Sequence, residues 1–174
     1  MANVMKAFKY VFVLASATDI ERLASIKNAS SEAKKTLYVC SNFMASTMKF
    51  FTERESSLSR GLFNFSPRML RLNGLDRIKK KGFVLIAGTS QISRVKKLLK
   101  ELPIEETLLI YSSWEGYYTI PEQIAANPGY KNFRELFYNI VDIHTSGHAD
   151  KTTIKRVIET INSKELIVIH KEGD

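Results

Sequence analysis

"YVFVLASATDIERLASIKNASSEAKKTLYVC", residues 10–40, decides the fold. Its first seven residues are a continuous apolar run ending in small side chains, the pattern of a strand buried on both faces of a parallel sheet. The segment that follows sets Ile20, Leu23, Ala24 and Ile26 at roughly helical spacing, with Thr18 or Asp19 as its cap. "TLYVC" (36–40) reads as a second strand and "SNFMASTMKFFTERES" as a second helix, capped by Ser41 or Asn42. This alternation predicts an α/β fold: a mainly parallel, helix-covered sheet with right-handed crossovers.

Downstream, "FVLIAG" (83–88) and "TLLIYSS" (107–113) are further strands, separated by the helix "TSQISRVKKLLKEL" capped by Thr89 or Ser90, and by Pro103. Residues 58–81 have no clean period and read as an irregular excursion with at most one short helix. Residues 114–139 begin as an aromatic loop and turn partly helical through "NFRELFYNI". "VDIHTS" (141–146) is a short strand, "DKTTIKRVIETIN" a helix with Ile154, Val157, Ile158 and Ile161 on one face, and "KELIVIH" a last strand. Six or so strands result. Met44, Met48, Phe50 and Phe51 are expected in the core.

A chain of 174 residues can bury a sizeable core without covalent staples. Its single cysteine, Cys40, closes an apolar strand and reads as a buried residue of a reducing cytoplasm. No apolar run reaches the length of a membrane span, and the N-terminus lacks a cleavage pattern, so a soluble, unprocessed chain is expected. The net charge of +8 is unevenly spread. Between residues 60 and 100 stand eleven Lys and Arg (Arg60, Arg68, Arg71, Arg77, Lys79, Lys80, Lys81, Arg94, Lys96, Lys97, Lys100) against one acid, Asp76. Such a stretch attracts a polyanion, or serves only as a solvated face.

Ligands of open parallel sheets bind beyond the carboxyl ends of the strands. There the sequence places its polar groups and all three histidines, His144, His148 and His170. His148 and His170 lie 22 positions apart around one helix and one strand, which brings both to one sheet edge. Glycine 147 just before a helix start suits an anion at the helix N-terminus. Two histidines alone do not complete a zinc site.

"DIHTSGHAD…ELIVIHKE" resembles the C-terminal signature of the β-CASP branch of the metallo-β-lactamase superfamily, the family of the ribonuclease J-like RNA-processing nucleases. There an S-(G/A)-H motif is followed, after one helix and the next strand, by a histidine in a V-H-G-E-like setting. "VFVLASATDIERLASI" resembles the start of the β-CASP insertion, and "LLIYSSWEGYY" its Y-S-x-W-x-G-Y stretch. The resemblance implies a β-CASP-like domain over residues 1–139 and a C-terminal metallo-β-lactamase segment over 140–174. It implies that His170 is a zinc ligand and that His148 contacts the scissile phosphate and helps protonate the leaving oxygen. Ser146 and Gly147 would line the phosphate site, and Ser112, Trp114 and Tyr117 the substrate channel; the resemblance assigns His144 no role, and it reads as structural or as support for the ligating shell. Trp114 and Tyr117 have an equally weighted reading as packing of their own loop. "HKEGD" stands where the family has H-G-E or H-T-E.

The superfamily's main metal motif, H-x-H-x-D-H, is absent from these residues. The resemblance therefore implies the C-terminal part of a zinc-dependent hydrolase, a nuclease of RNA phosphodiesters, inactive alone. A non-catalytic nucleic-acid-binding or protein-interaction module of the same fold is the alternative. The partners implied are RNA or another nucleic acid, the missing N-terminal metallo-β-lactamase half and, as an open alternative, a second copy in a homodimer; no membrane partner is expected.

Overall fold

The computed structural model describes residues 1–54, 56–57, 60–70, 75–144, 151–162 and 164–167, with the side chains of 75 and 77 left out. It divides into two compact units, Met1–His144 and Thr145–Asp174.

In the first unit, six strands form one sheet: β1 Tyr10–Leu14, β2 Leu37–Val39, β3 Arg68–Met69, β4 Phe83–Ala87, β5 Thr107–Tyr111 and β6 Asn139–Asp142. Their order is β3-β2-β4-β1-β5-β6 and every pairing is parallel. The first strand is thus interior, flanked by β4 (Tyr10 opposite Phe83) and β5 (Tyr10 opposite Thr107). All five residues of β1, β4 and β5 are buried, which is why those strands read as unbroken apolar runs and not as alternating ones.

The period of two along each strand divides the interior into two layers. Val11, Val13, Val84, Ile86, Leu108 and Ile110 face helices α1 (Ala2–Ala7), α2 (Ile20–Glu32) and α3 (Asn42–Glu53) through Met5, Leu23, Ile26 and Met48. Tyr10, Phe12, Leu14, Phe83, Leu85, Leu109 and Tyr111 face the opposite layer. That layer contains α4 (Leu75–Lys81), α5 (Ile92–Leu99) and α8 (Pro128–Arg134), which contribute Ile78, Val95, Leu98 and Phe133, with Phe137 just beyond. Phe12 lies 5.7 Å from the Phe83 ring and 5.1 Å from Phe137. Burying such a ring is worth about 1.5–3 kcal/mol, and each aromatic pair adds about 0.5–1.5.

Helix starts follow the sequence signals. Asp19 Oδ1 accepts the Arg22 N–H at 3.1 Å, and Ser41 Oγ accepts the Met44 N–H at 3.1 Å, caps worth about 1 kcal/mol each. Pro121 and Pro128 open α7 (Pro121–Ala126) and α8, where a missing N–H costs nothing. Gly82 joins α4 to β4 at φ +70°, and a Cβ there would stand 2.4 Å from the Lys9 carbonyl oxygen.

Several boundaries differ from expectation. The N-terminal residues form α1. Residues 89–91 are a 3₁₀ turn and α5 starts only at Ile92, because the Gln91 side chain caps the turn by accepting the Gly88 N–H at 2.8 Å. Residues 114–134 hold three short helices, α6 (Gly116–Thr119), α7 and α8. Strand β6 starts two residues early: Asn139 Nδ2 donates to the carbonyls of Ile104 at 2.9 Å and Thr107 at 3.0 Å, tying it to the start of β5. Pairing with β5 carries residues 139–142 into the sheet of the first unit, which extends to His144. Phe50 is half exposed, whereas Met44 and Met48 are buried as expected.

The second unit contains α9 (Lys151–Ile161), on which Lys155 and Glu159 pair at 3.8 Å. Its apolar residues Ile154, Val157 and Ile161 are exposed. Residues 164–167 carry no strand, and the rest of the expected last strand lies outside the described residues. No helix among the described residues is long and apolar enough to cross a membrane.

Candidate functional site

Right-handed crossovers send the chain leaving β1 to one face of the sheet and the chains leaving β4 and β5 to the other. The layers match: α2 packs on one face, and α5 and α8 on the opposite one. Strand β1 is therefore bordered on both sides by switch points, and crevices open beyond its carboxyl end.

On the β5 side the crevice holds a hydrogen-bonded cluster centred on Arg22, whose side chain is 11% exposed. Arg22 Nε donates to Asp19 Oδ2 at 2.6 Å, so one aspartate both caps α2 and neutralises the guanidinium. Arg22 Nη1 reaches the Ser112 carbonyl at 3.0 Å, the Ser112 hydroxyl at 3.1 Å and His144 Nδ1 at 2.7 Å. The start of α2 and the residues just beyond β5 and β6 are thus joined through one side chain. Hydrogen bonds to a charged group contribute about 1.5–3 kcal/mol each, and the buried Ser112 would be left unsatisfied without them. Desolvation first, and then the Arg22 charge, hold the His144 pKa below the ordinary imidazole value, with Asp19 opposing.

On the β4 side a cleft of about 250 Å³ is lined by Ser16, Ser41, Thr89, Ser90, Gln91 and Tyr130, among others. It is rich in hydroxyls, and the described residues of its wall include no charged side chain. Tyr130 stacks on Tyr117, centroids 4.2 Å apart at 13°, and Tyr117 meets Trp114 edge-on at 5.5 Å. Trp114 and Tyr117 therefore belong to a chain of rings leading to the cleft. Trp114 lies over Gly116, where a Cβ would come within 2.5 Å of the indole; only glycine lets the ring lie there. The Tyr111 hydroxyl donates to the Trp114 carbonyl at 3.3 Å, and burial pushes that phenol well above its usual pKa.

Of the residues singled out by sequence, Ser112 and His144 are brought together through Arg22, and Trp114 and Tyr117 form an edge-on pair. Ser146, Gly147, His148 and His170 lie outside the described residues. Among the described residues no group of three or more His, Cys, Asp or Glu is placed to hold a metal ion, so they furnish no zinc site. Cys40 is buried, and desolvation raises its thiol pKa despite nearby Arg94, which leaves it protonated at neutral pH. Sequence reading missed Arg22, Asp19 beyond its capping role, and Tyr130. The available signal was "TDIER": a capping acid with arginine three residues on, at a strand's carboxyl end.

Of the eleven cations between residues 60 and 100, Arg94 is used internally, donating to the Cys40 carbonyl at 3.1 Å and to the Leu70 carbonyl. Lys79 pairs with Glu101 at 3.2 Å. Arg60, Arg68, Lys80, Lys81, Lys96, Lys97 and Lys100 are exposed.

No known protein-family model matches this chain, and no curated protein matches it.

Proposed function

We propose that this chain is the β-CASP-like portion, with the C-terminal segment, of a zinc-dependent metallo-β-lactamase-type nuclease acting on RNA phosphodiesters, and that it does not hydrolyse RNA alone. One observation carries the reading: β6 delivers His144 to the switch-point crevice beside Ser112, and "TSGHAD" follows directly in the chain. His144, the last described residue before that motif, thus stands where an open parallel sheet binds its ligands.

In this reading His148 contacts the scissile phosphate and protonates the leaving oxygen, with Ser146 and Gly147 at the phosphate. Ser112, Trp114 and Tyr117 flank the nucleic acid. His170 is one ligand of zinc, which supplies Lewis acidity when held together with ligands of the N-terminal half. The exposed cations of residues 60–100 favour a second reading, a module of this fold that holds nucleic acid without cutting it.

Anisotropy of a fluorescein-labelled single-stranded RNA, titrated with the chain across a salt series, tests the shared element. Affinity should fall with salt, by about 0.7 in the log–log slope for each phosphate contacted. Absence of binding, or salt-independent binding, overturns the nucleic-acid reading. Metal-dependent cleavage by the purified chain, abolished by a chelator, overturns its inactivity alone.

A further inference from the structure

A guanidinium carries N–H donors and no acceptor. His144 Nδ1, 2.7 Å from Arg22 Nη1, must therefore present its lone pair. A neutral imidazole that accepts at Nδ1 carries its hydrogen on Nε2. A proton on Nδ1, in the other tautomer or in imidazolium, would set two donors against each other at that distance. Arg22 cannot readily turn away, because Asp19 holds its Nε and the Ser112 carbonyl and hydroxyl share one Nη1 hydrogen, leaving the other for His144.

We propose that Arg22 is a positioning residue that fixes His144 in the Nε2–H form, making this imidazole a dedicated hydrogen-bond donor to a phosphate oxygen of bound nucleic acid. The identity of the acceptor rests on the nucleic-acid reading above; the tautomer does not. The consequence is exclusive. Ligation of a metal through Nε2, or action as a base there, needs a lone pair on Nε2, which the Arg22 bond denies. His144 thereby takes a role distinct from those given to His148 and His170 in the nuclease reading. The charge balance supports a neutral ring: Arg22 is offset by Asp19, and the pKa of His144 is lowered. His144 itself is exposed, so its outer nitrogen is accessible.

Long-range proton–nitrogen correlation NMR of the histidine-labelled chain reads the tautomer directly, with His144 assigned from His144→Gln. At neutral pH and above, wild type should show one acceptor-type Nδ1 and one protonated Nε2. Arg22→Met should return the ring to a mixture of both tautomers. A wild-type ring that is protonated on Nδ1, or a distribution unchanged in Arg22→Met, overturns the role of Arg22. The wild-type spectrum suffices if the variant fails to fold. Zinc ion alone should leave the His144 signals in place; a shift of Nε2 on adding zinc overturns the exclusion.

Single-stranded RNA should shift the Nε2–H resonance, and Arg22→Met should weaken RNA binding roughly fivefold, the loss of about one hydrogen bond. RNA that binds without moving His144 overturns the donor role and leaves the nucleic-acid reading standing. No RNA binding overturns that reading and the assigned acceptor together, while the tautomer measurement still decides whether Arg22 positions the ring.

Discussion

Replacing Gly116 by alanine should release the indole of Trp114 while leaving global stability nearly unchanged. The new Cβ would sit 2.5 Å from two atoms of the six-membered ring and 2.7 Å from a third. Carbon atoms meet best at about 3.5–4.0 Å, so the ring must retreat by roughly 1 Å. Backbone atoms would resist such a displacement, but the obstacle here is the far end of a side chain that is 39% exposed. The ring can therefore swing toward water. Its edge-on contact with Tyr117 is then lost, at a cost of about 0.5–1.5 kcal/mol. Against that, alanine is favoured over glycine by about 0.4–1 kcal/mol where the backbone accepts it, and Gly116 is not a left-handed residue. The two terms nearly cancel, and the net change should stay within about 1 kcal/mol. Trp114 is the only tryptophan in the chain, so the assay has a single reporter. Expected are a red-shifted emission and stronger acrylamide quenching, with little change in the urea midpoint. Unchanged quenching together with a loss of several kcal/mol would show the ring to be rigidly held, and would refute the reasoning.

Gly82→Ala should be far more costly, since its φ is +70° and its Cβ would press on the Lys9 carbonyl, a backbone atom next to the central strand. The left-handed conformation alone costs about 1–2 kcal/mol, and the clash adds to it, so thermal denaturation should show a clear drop in Tm. Acidification should destabilise the fold through His144. Its folded pKa lies below the unfolded value near 6.5, so the unfolded chain takes up the proton first. The contribution is complete above about pH 6.5 and is lost as pH falls toward the lower folded pKa. His144→Gln, which keeps an acceptor for Arg22, should lack that part of the acid limb in urea midpoints measured against pH.

What the sequence made legible follows burial. Strands β1, β4 and β5 are buried on both faces, so their apolar runs announced themselves, and Asp19 and Ser41 marked the starts of α2 and α3. Strand β3 has only two residues and makes its pairing through backbone atoms alone, which leaves no pattern to read. Helices α6 and α8 carry rings that pack on one another, Tyr118 on Tyr111, Tyr117 on Tyr130 and Phe133 on Phe137, contacts that leave no periodic stripe to read. At the site, Ser112, Trp114, Tyr117 and His144 were legible as polar or aromatic groups at strand ends. Arg22 was not, because its role depends on β5 and β6 arriving from more distant parts of the chain, and the local sequence shows only a helix with a basic residue in its first turn. The same distance explains why the contact of His144 Nδ1 with Arg22, at 2.7 Å, could not be read from the sequence, which left His144 as structural or as support for the ligating shell.

The interior position of β1 has a consequence for how the protein is made. The first strand of this sheet finds its neighbours only when residues from Phe83 and then from Thr107 have been added. Until then "YVFVL" has no lateral partner, and neither layer of helices has a finished surface to rest upon. Pairings this remote in sequence form slowly, and an unpaired apolar strand adheres to its like. The nascent chain thus passes through a long vulnerable interval that ends abruptly when β5 emerges. Truncations that stop short of Tyr111 should therefore yield insoluble material rather than a smaller folded core.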